Sequence, residues 1–417
     1  MGFLNRFLDA DGKITAWASK QEARLEILKY ISAKFQSGRF YSEKEVNAII
    51  EQWHTFDDYF LIRRGLIDSR LLSRTNSGSR YWVEERESSR SIIELLESYY
   101  DIGKIKSIFY ISNGYGSDPY YVLSEKGEYI FKDINISPMN NPDNEALILQ
   151  KLEQNGIPVS QIAQTVNGGH VLKTENKTYH LQKYIEGKIY SRNTAPEWLL
   201  YESARMLGKI QNAMEALPLL PLGISQSFFD NITPEKAILK HRSSLQLALQ
   251  KNDVDIANAA CCKIHMLETC SYKFDVQKMT CCNTHGDYKI QQIICGKDKI
   301  NAVIDFTSAC IHPICWEIIR SYSLADEKCI NGSIDIDNLK RYISCFLEYG
   351  HLTTYDIKIM PYLYFYQSLT SDYFGQYYAL NSGNRDISLN DAFHSLKLCK
   401  WFYNNITRLE DELASAF

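Results

Sequence analysis

Asp287, Gln292 and Asp305 are the residues of this chain whose types and spacing could carry out chemistry together. They lie in the run Thr284-His285-Gly286-Asp287-Tyr288-Lys289-Ile290-Gln291-Gln292, which is followed by a strand-like IIC, the turn GKDK, a strand-like INAVI and then Asp305-Phe306. Moving a phosphoryl group onto a hydroxyl needs a carboxylate that orients or deprotonates the acceptor. It also needs oxygen ligands for the magnesium that bridges the nucleotide phosphates. Asp287 has the chemistry of the first, and the Gln292 carbonyl and the Asp305 carboxylate have that of the second.

Such a constellation has to be held by elements upstream and downstream. A helical pattern, SIIELLESYY, precedes a strand (IKSIFYIS), a glycine-containing loop (NGYGSDP), a strand (YYVLS), the turn EKGE and a strand (YIFKDI), which together read as an antiparallel meander. Lys132 falls near the end of the third meander strand, where it can pair with nucleotide phosphates, and Glu145 on the helix around NEALILQKLEQNG is its expected ion-pair partner. The loop residues Asn113, Gly114, Gly116 and Ser117 could lay backbone N–H groups over the phosphates. Two glycines in a hairpin loop also make an ordinary turn, and Lys132 or Glu145 alone would read as a surface charge. Their order ahead of the His-Gly-Asp block is what singles them out. From Glu197 onward the pattern is mainly helical, apart from a strand-rich island at 278–306.

Protein kinases arrange the same chemistry as H-R-D-x-x-x-x-N, a hairpin and a D-F-G aspartate. Here the order and the five-residue step from Asp287 to Gln292 match, with His-Gly-Asp in place of His-Arg-Asp. In these motifs the chain, over about residues 90–417, resembles the aminoglycoside phosphotransferase and choline kinase superfamily of small-molecule kinases. The resemblance implies an α+β, bilobal protein-kinase-like fold, with an antiparallel-sheet N-lobe at 87–187 and a mainly helical C-lobe at 188–417. It implies Asp287 as catalytic base, with His285 beside it fixing the loop through hydrogen bonds. Gln292, where the superfamily usually has Asn, and Asp305 would be the metal ligands. Gln182 and Tyr184, in the run QKYIEG, would belong to the hinge whose backbone holds adenine, and Glu317 would anchor the catalytic loop. The implied cofactors are ATP (or GTP) and Mg2+. The implied acceptor is a small hydroxylated molecule of aminoglycoside, sugar or amino alcohol type.

Two other readings draw on the same residues. A kinase-fold regulatory protein without turnover is motivated by Gln292 and by the N-terminal extension, and opposed by the joint presence of Lys132, Glu145, Asp287 and Asp305. A protein-serine kinase is disfavoured because no APE-like segment follows Asp305. The tyrosine-rich stretch Tyr362–Tyr378 lies where relatives build an acceptor pocket, but its spacing is also that of helix-packing core.

The first 86 residues read as a separate small domain. QEARLEILKYISAKF has helical periodicity, Ser42-Glu43-Lys44-Glu45 is a capping box, and DDYFLIRRGLIDSR leads into two strand-like runs around Thr-Asn-Ser-Gly. Three helices and a hairpin form the winged-helix plan. Arg63, Arg64, Arg70, Arg74 and Arg80 gather against Asp68, either as a solvated face of a docking domain, the favoured reading, or as a phosphate-contacting patch on nucleic acid. The block from Arg6 to about Val83 resembles a small bacterial domain family of unknown function.

Composition sets the remaining bounds. With 45% hydrophobic and 23% charged residues and 10 prolines among 417, the chain is neither disordered nor fibrous. Forty-six basic against 50 acidic side chains leave a charge of −4, too balanced for a protein that coats nucleic acid or an anionic membrane. No apolar run approaches the ~20 residues of a membrane span, and Met1–Arg6 carries no signal-peptide or myristoylation pattern, so a cytoplasmic location is expected. The 11 cysteines, all between Cys261 and Cys399, form no CxxC pair and read as reduced thiols rather than a zinc site or disulfide framework. The sequence leaves the oligomeric state open.

Overall fold

The computed structural model describes residues 4–36, 41–56, 58–69, 71–74, 81–83, 89–110, 119–134, 142–175, 177–191, 194–223, 233–270, 274–379 and 385–417. The described chain forms two compact units, residues 1–98 and residues 99–380 with 385–417.

In the first unit, helices α1 (Gln21–Ser32), α2 (Glu43–Gln52) and α3 (Tyr59–Asp68) are followed by a short antiparallel pair, β1 (Ser73–Arg74) and β2 (Tyr81–Trp82). The capping box forms as expected: Glu45 N–H donates to Ser42 Oγ, and Ser42 N–H donates back to the Glu45 carboxylate. Asp58 caps α3 through the Leu61 N–H. Ile27, Ile31, Val46, Ile50, Ile62, Leu66 and Tyr81 close the core of this unit. The described arginines do not form one free patch. Arg63 is 8% exposed and donates to Glu43 Oε1 at 2.7 Å and Asn47 Oδ1 at 2.6 Å, while the exposed Arg64 pairs with Asp68 at 3.5 Å. Arg74 is exposed, and Arg70 and Arg80 lie outside the described residues. Helix α4 (Ser89–Tyr99) follows.

The second unit begins with the meander, β3 (Ile105–Tyr110), β4 (Tyr120–Ser124) and β5 (Glu128–Asp133). Helix α5 (Pro142–Gln154) and strands β6 (Leu172–Lys173) and β7 (Thr178–Lys183) complete an antiparallel sheet of order β3-β4-β5-β7-β6. Placing β7 beside β5 sets Lys132 opposite His180 and Ile130 opposite Gln182. Helices α6 (Glu197–Met214), α7 (Pro234–Gln250) and α8 (Val254–Thr269) lead to the strand-rich island. There β8 (Cys281–Thr284) pairs with β11 (Cys310–Pro313), and between them β9 (Ile293–Cys295) pairs with β10 (Ile300–Val303).

Helices α9 (Ile314–Ser323), α10 (Glu327–Ile330), α11 (Ile336–Leu347), α12 (Thr354–Thr370), α13 (Tyr373–Ala379) and α14 (Arg385–Ala414) finish the chain. Ile318, Ile319, Tyr322, Tyr342, Phe346, Leu363, Phe365 and Phe402 are among the apolar side chains buried in the large core. Most of the tyrosine-rich stretch is therefore packing surface: Tyr364, Phe365, Tyr366 and Phe374 are buried. Among the described residues, no helix is long and apolar enough to cross a membrane. The described cysteines are free thiols.

Candidate active site

The two ladders place the loop. Because β8 pairs with β11 while β9 pairs with β10, the segment leaving β8 at His285 and the segment leaving β10 at Asp305 must run side by side. His285 ties them together. Its ring is fully buried; Nε2–H donates to the Ile304 carbonyl at 3.0 Å, which leaves Nδ1 to accept the Asp287 N–H at 3.4 Å. Burial holds this imidazole below its ordinary pKa, so it is a neutral spacer between two backbone segments. The Ile304 N–H adds a bond to the Gln292 carbonyl at 2.9 Å. Asp305 itself adopts a left-handed backbone (φ 69°, ψ 55°), uncommon outside glycine and of the kind that collects at functional sites.

The three sequence-selected groups meet. Gln292 Nε2 lies 3.4 Å from Asp287 Oδ2 and 3.2 Å from Asp305 Oδ2, so a single amide joins the two carboxylates. Thr307 Oγ1–H donates to Asp305 Oδ1 at 2.9 Å. Lys132 Nζ reaches the same Asp305 oxygen at 2.7 Å. Asp287 is flanked by two cations, Arg320 Nη2 at 2.6 Å from Oδ1 and Lys289 Nζ at 2.6 Å from Oδ2. Burial pushes the Asp287 carboxyl up, but Arg320 and Lys289 together bring it below the usual value. Burial likewise opposes, and Lys132 then overrides, at Asp305, which falls to about 2. Both carboxylates are ionised at neutral pH.

Glu317, on α9, holds the loop from below. Its side chain is fully buried, and Oε1 accepts the Tyr288 N–H at 3.3 Å, one residue past Asp287. Burial raises its pKa from 4.5 to about 7, against the opposing pull of that hydrogen bond and of Arg320. A group whose folded pKa is raised binds its proton more tightly in the folded state. It therefore contributes stability below the unfolded value that is lost as pH climbs through the folded one. Stability is expected to fall by up to roughly 3 kcal/mol from this group between pH 4.5 and 7. Glu317→Gln keeps the acceptor for Tyr288, so urea unfolding at pH 5 and pH 8 should show that fall in the wild type and a flatter profile in the variant. Equal slopes would contradict the assignment.

On the sheet side the expected Lys132–Glu145 ion pair is not made. Glu145 is 2% exposed and lies under the sheet with Oε2 3.3 Å from Nδ1 of the equally buried His180, while Lys132 extends to Asp305. The β5–β7 register sets His180 directly beside Lys132, with its Nδ1 close to the helix carboxylate but not hydrogen-bonded to it. At the far end of β7, Tyr121, Glu128, Lys183, Tyr184 and Glu186 line an open cleft with the β4–β5 turn. The Tyr184 and Lys183 N–H groups are bound to the Glu128 and Gln161 carbonyls, both at 2.9 Å. Gln182, next along, is buried in the sheet, and its Nε2 has no partner among the described residues. Asn113, Gly114, Gly116 and Ser117 lie outside the described residues.

Sequence reasoning passed over Arg320, Lys289, Thr307 and His180. Lys289 and Thr307 each sit two residues after a selected aspartate, a local signal that was available. Arg320 and His180 carried no local signal, because their partners lie 33 and 35 positions away along the chain.

A family model described as "Phosphotransferase enzyme family" matches residues 108–333, more than half of the chain. A second, described as "Uncharacterized protein conserved in bacteria", matches residues 13–83. No curated protein sequence matches the chain. Among solved structures, an aminoglycoside phosphotransferase from Alicyclobacillus acidocaldarius is similar at 13% identity and a TM-score of 0.54, covering 78% of this chain and 100% of its own. An amicoumacin kinase in complex with AMP-PNP and Ca2+ is similar at 12% identity and a TM-score of 0.51, covering 77% of this chain and 97% of its own. A microcompartment-associated aminopropanol kinase is similar at 10% identity and a TM-score of 0.50, with 77% and 98% covered. At these identities the likeness is one of fold.

Proposed function

The chain belongs to the phosphotransferase enzyme family, and from that premise we propose that it moves the γ-phosphoryl group of ATP onto a hydroxyl of a small molecule. The observation that carries the reading is the Gln292 amide spanning the Asp287 and Asp305 carboxylates, with Lys132 from the sheet on Asp305. ATP as donor is supported by the amicoumacin kinase of like fold, solved with AMP-PNP.

Asp287 receives the acceptor hydroxyl, orients it and takes its proton as the new P–O bond forms. Held ionised by its flanking cations, it acts mainly by positioning, which suits a transfer with a loose transition state. Asp305 and the Gln292 carbonyl form a hard oxygen donor set of the kind Mg2+ takes from a protein, one carboxylate and a neutral oxygen with phosphates supplying the rest. A half-turn of the Gln292 amide brings Oε1 to the point where Nε2 now stands. When bound, magnesium would neutralise charge on the phosphates. On this reading Lys132 leaves Asp305 for those phosphates, and the cleft beside Tyr121 and Tyr184 takes the base. For the N-terminal unit the docking reading is kept over the phosphate-contacting one, because Arg63 is already engaged by Glu43 and Asn47.

Calorimetric titration of ADP with and without Mg2+ tests the reading. Asp305→Ala is expected to lose the magnesium-dependent gain in nucleotide affinity, and Gln292→Asn to keep it. An Asp305→Ala protein that binds Mg-nucleotide as tightly as wild type would overturn the assignment of this hairpin.

A further inference from the structure

The charges around Asp287 say what kind of acceptor can approach it, an inference that rests on the kinase reading above. Each oxygen of the Asp287 carboxylate is already matched by a cation, Arg320 Nη2 and Lys289 Nζ, both at 2.6 Å. Among the described residues, Asp287 is the one acid within ion-pair distance of either cation. Both keep part of their surface open, 22% for the Arg320 side chain and 28% for Lys289. Arg320 is braced by the Trp316 ring, 5.4 Å from its guanidinium carbon, and its Nη1 is enclosed with no acceptor among the described residues. Arg320 also helps hold His312 down to about 4, after burial as the larger cause, so that ring adds no charge of its own at neutral pH.

A polycationic acceptor needs the opposite. It would bring ammonium groups against Arg320 and Lys289, where like charges at close range repel. Three acids of the later helices are already engaged within the chain. Asp356 accepts from Thr280 and Thr353, Asp372 from Ser244 and the Gly375 N–H, and Glu410 is taken by Tyr362 and Lys358. An oxyanion is the group that two partly open cations beside a reacting carboxylate receive well, and the planar guanidinium fork suits a carboxylate or phosphate in particular.

We propose that the acceptor carries an oxyanion, a carboxylate or a phosphate, near its reacting hydroxyl, and that Arg320 and Lys289 bind that oxyanion while Asp287 takes the hydroxyl. The γ-phosphorus–oxygen bond to ADP breaks, the bond to the acceptor oxygen forms, and the hydroxyl proton passes to Asp287 and then to solvent. Arg320 therefore has two tasks, steadying Asp287 and selecting the acceptor.

The test is an ADP-release assay at fixed Mg-ATP on four acceptor groups: hydroxy acids such as glycerate and homoserine, phosphorylated alcohols such as glycerol 3-phosphate, neutral polyols, and the polyamine kanamycin. The highest kcat/KM is expected on one of the two anionic groups, and which of them it is separates a carboxylate from a phosphate. Arg320→Met should lower kcat/KM on that group by about 10²-fold, with much of the loss in KM, and Arg320→Lys should recover part of it. ADP affinity, measured by calorimetry, should not move. Highest turnover on kanamycin or on neutral polyols would overturn the proposal and leave the kinase standing. So would an Arg320→Met loss confined to kcat and equal across all groups, since Arg320 would then only steady Asp287. Failure to bind Mg-nucleotide at all would bring down both readings.

Discussion

Asp287→Asn is expected to lower kcat by about 10²- to 10⁴-fold while ADP binding in the presence of Mg2+ stays near the wild-type value. The asparagine is nearly isosteric, so the Asp287 N–H bond to His285 and the loop path survive. What disappears is the negative charge. A neutral amide cannot accept the hydroxyl proton, and it leaves Arg320 and Lys289 facing one another without the carboxylate that now separates them at 2.6 Å from each. The nucleotide contacts are assigned elsewhere, to Lys132, Asp305 and the cleft by Tyr184, so affinity and turnover should separate cleanly. Single-turnover kinetics together with calorimetry check this. A variant whose turnover stays within a few-fold of wild type would remove Asp287 from the reaction.

The second large effect is expected at Gly286. Its φ of +82° is a left-handed conformation, and a Cβ built there would stand 1.9 Å from the Ser308 carbonyl oxygen, an overlap with backbone that no side-chain rotation relieves. Gly286→Ala must therefore push the loop carrying Asp287 away from the turn that follows Asp305. The left-handed backbone alone costs on the order of 1 kcal/mol or more for alanine, and the steric displacement adds to it. We expect a loss of about 3 kcal/mol or more in denaturant unfolding and a fall in kcat of at least 10²-fold, because a 1 Å misplacement of a catalytic group costs that much. An alanine variant with wild-type stability and turnover would show that this close approach is not required.

The charge arrangement also bears on how Lys132 works. Its ammonium rests on Asp305 rather than on Glu145, and Glu145 is left beside His180 in a buried place. The Lys132–Asp305 pair keeps 19% and 30% of its side-chain surfaces exposed, so on the proposed reading it can be exchanged for nucleotide contacts at modest cost.

Much of this was legible in the linear order of residues. The spacing of Asp287, Gln292 and Asp305 was readable because a short loop and one hairpin hold them, and over such distances local geometry follows directly from sequence. The Ser42 capping box and the β4–β5 turn were readable for the same reason: their hydrogen bonds join residues a few positions apart. Tertiary structure decided the partners. Lys132 meets Asp305 across 173 positions, Arg320 meets Asp287 across 33, and Glu145 meets His180 only because β7 lies beside β5 in one particular register. The chain by itself determined which chemical groups are present and in what order the lobes present them. Which cation neutralises which carboxylate followed from sheet register and from the burial of α9, since charges taken out of water must pair with whatever the packing brings within reach.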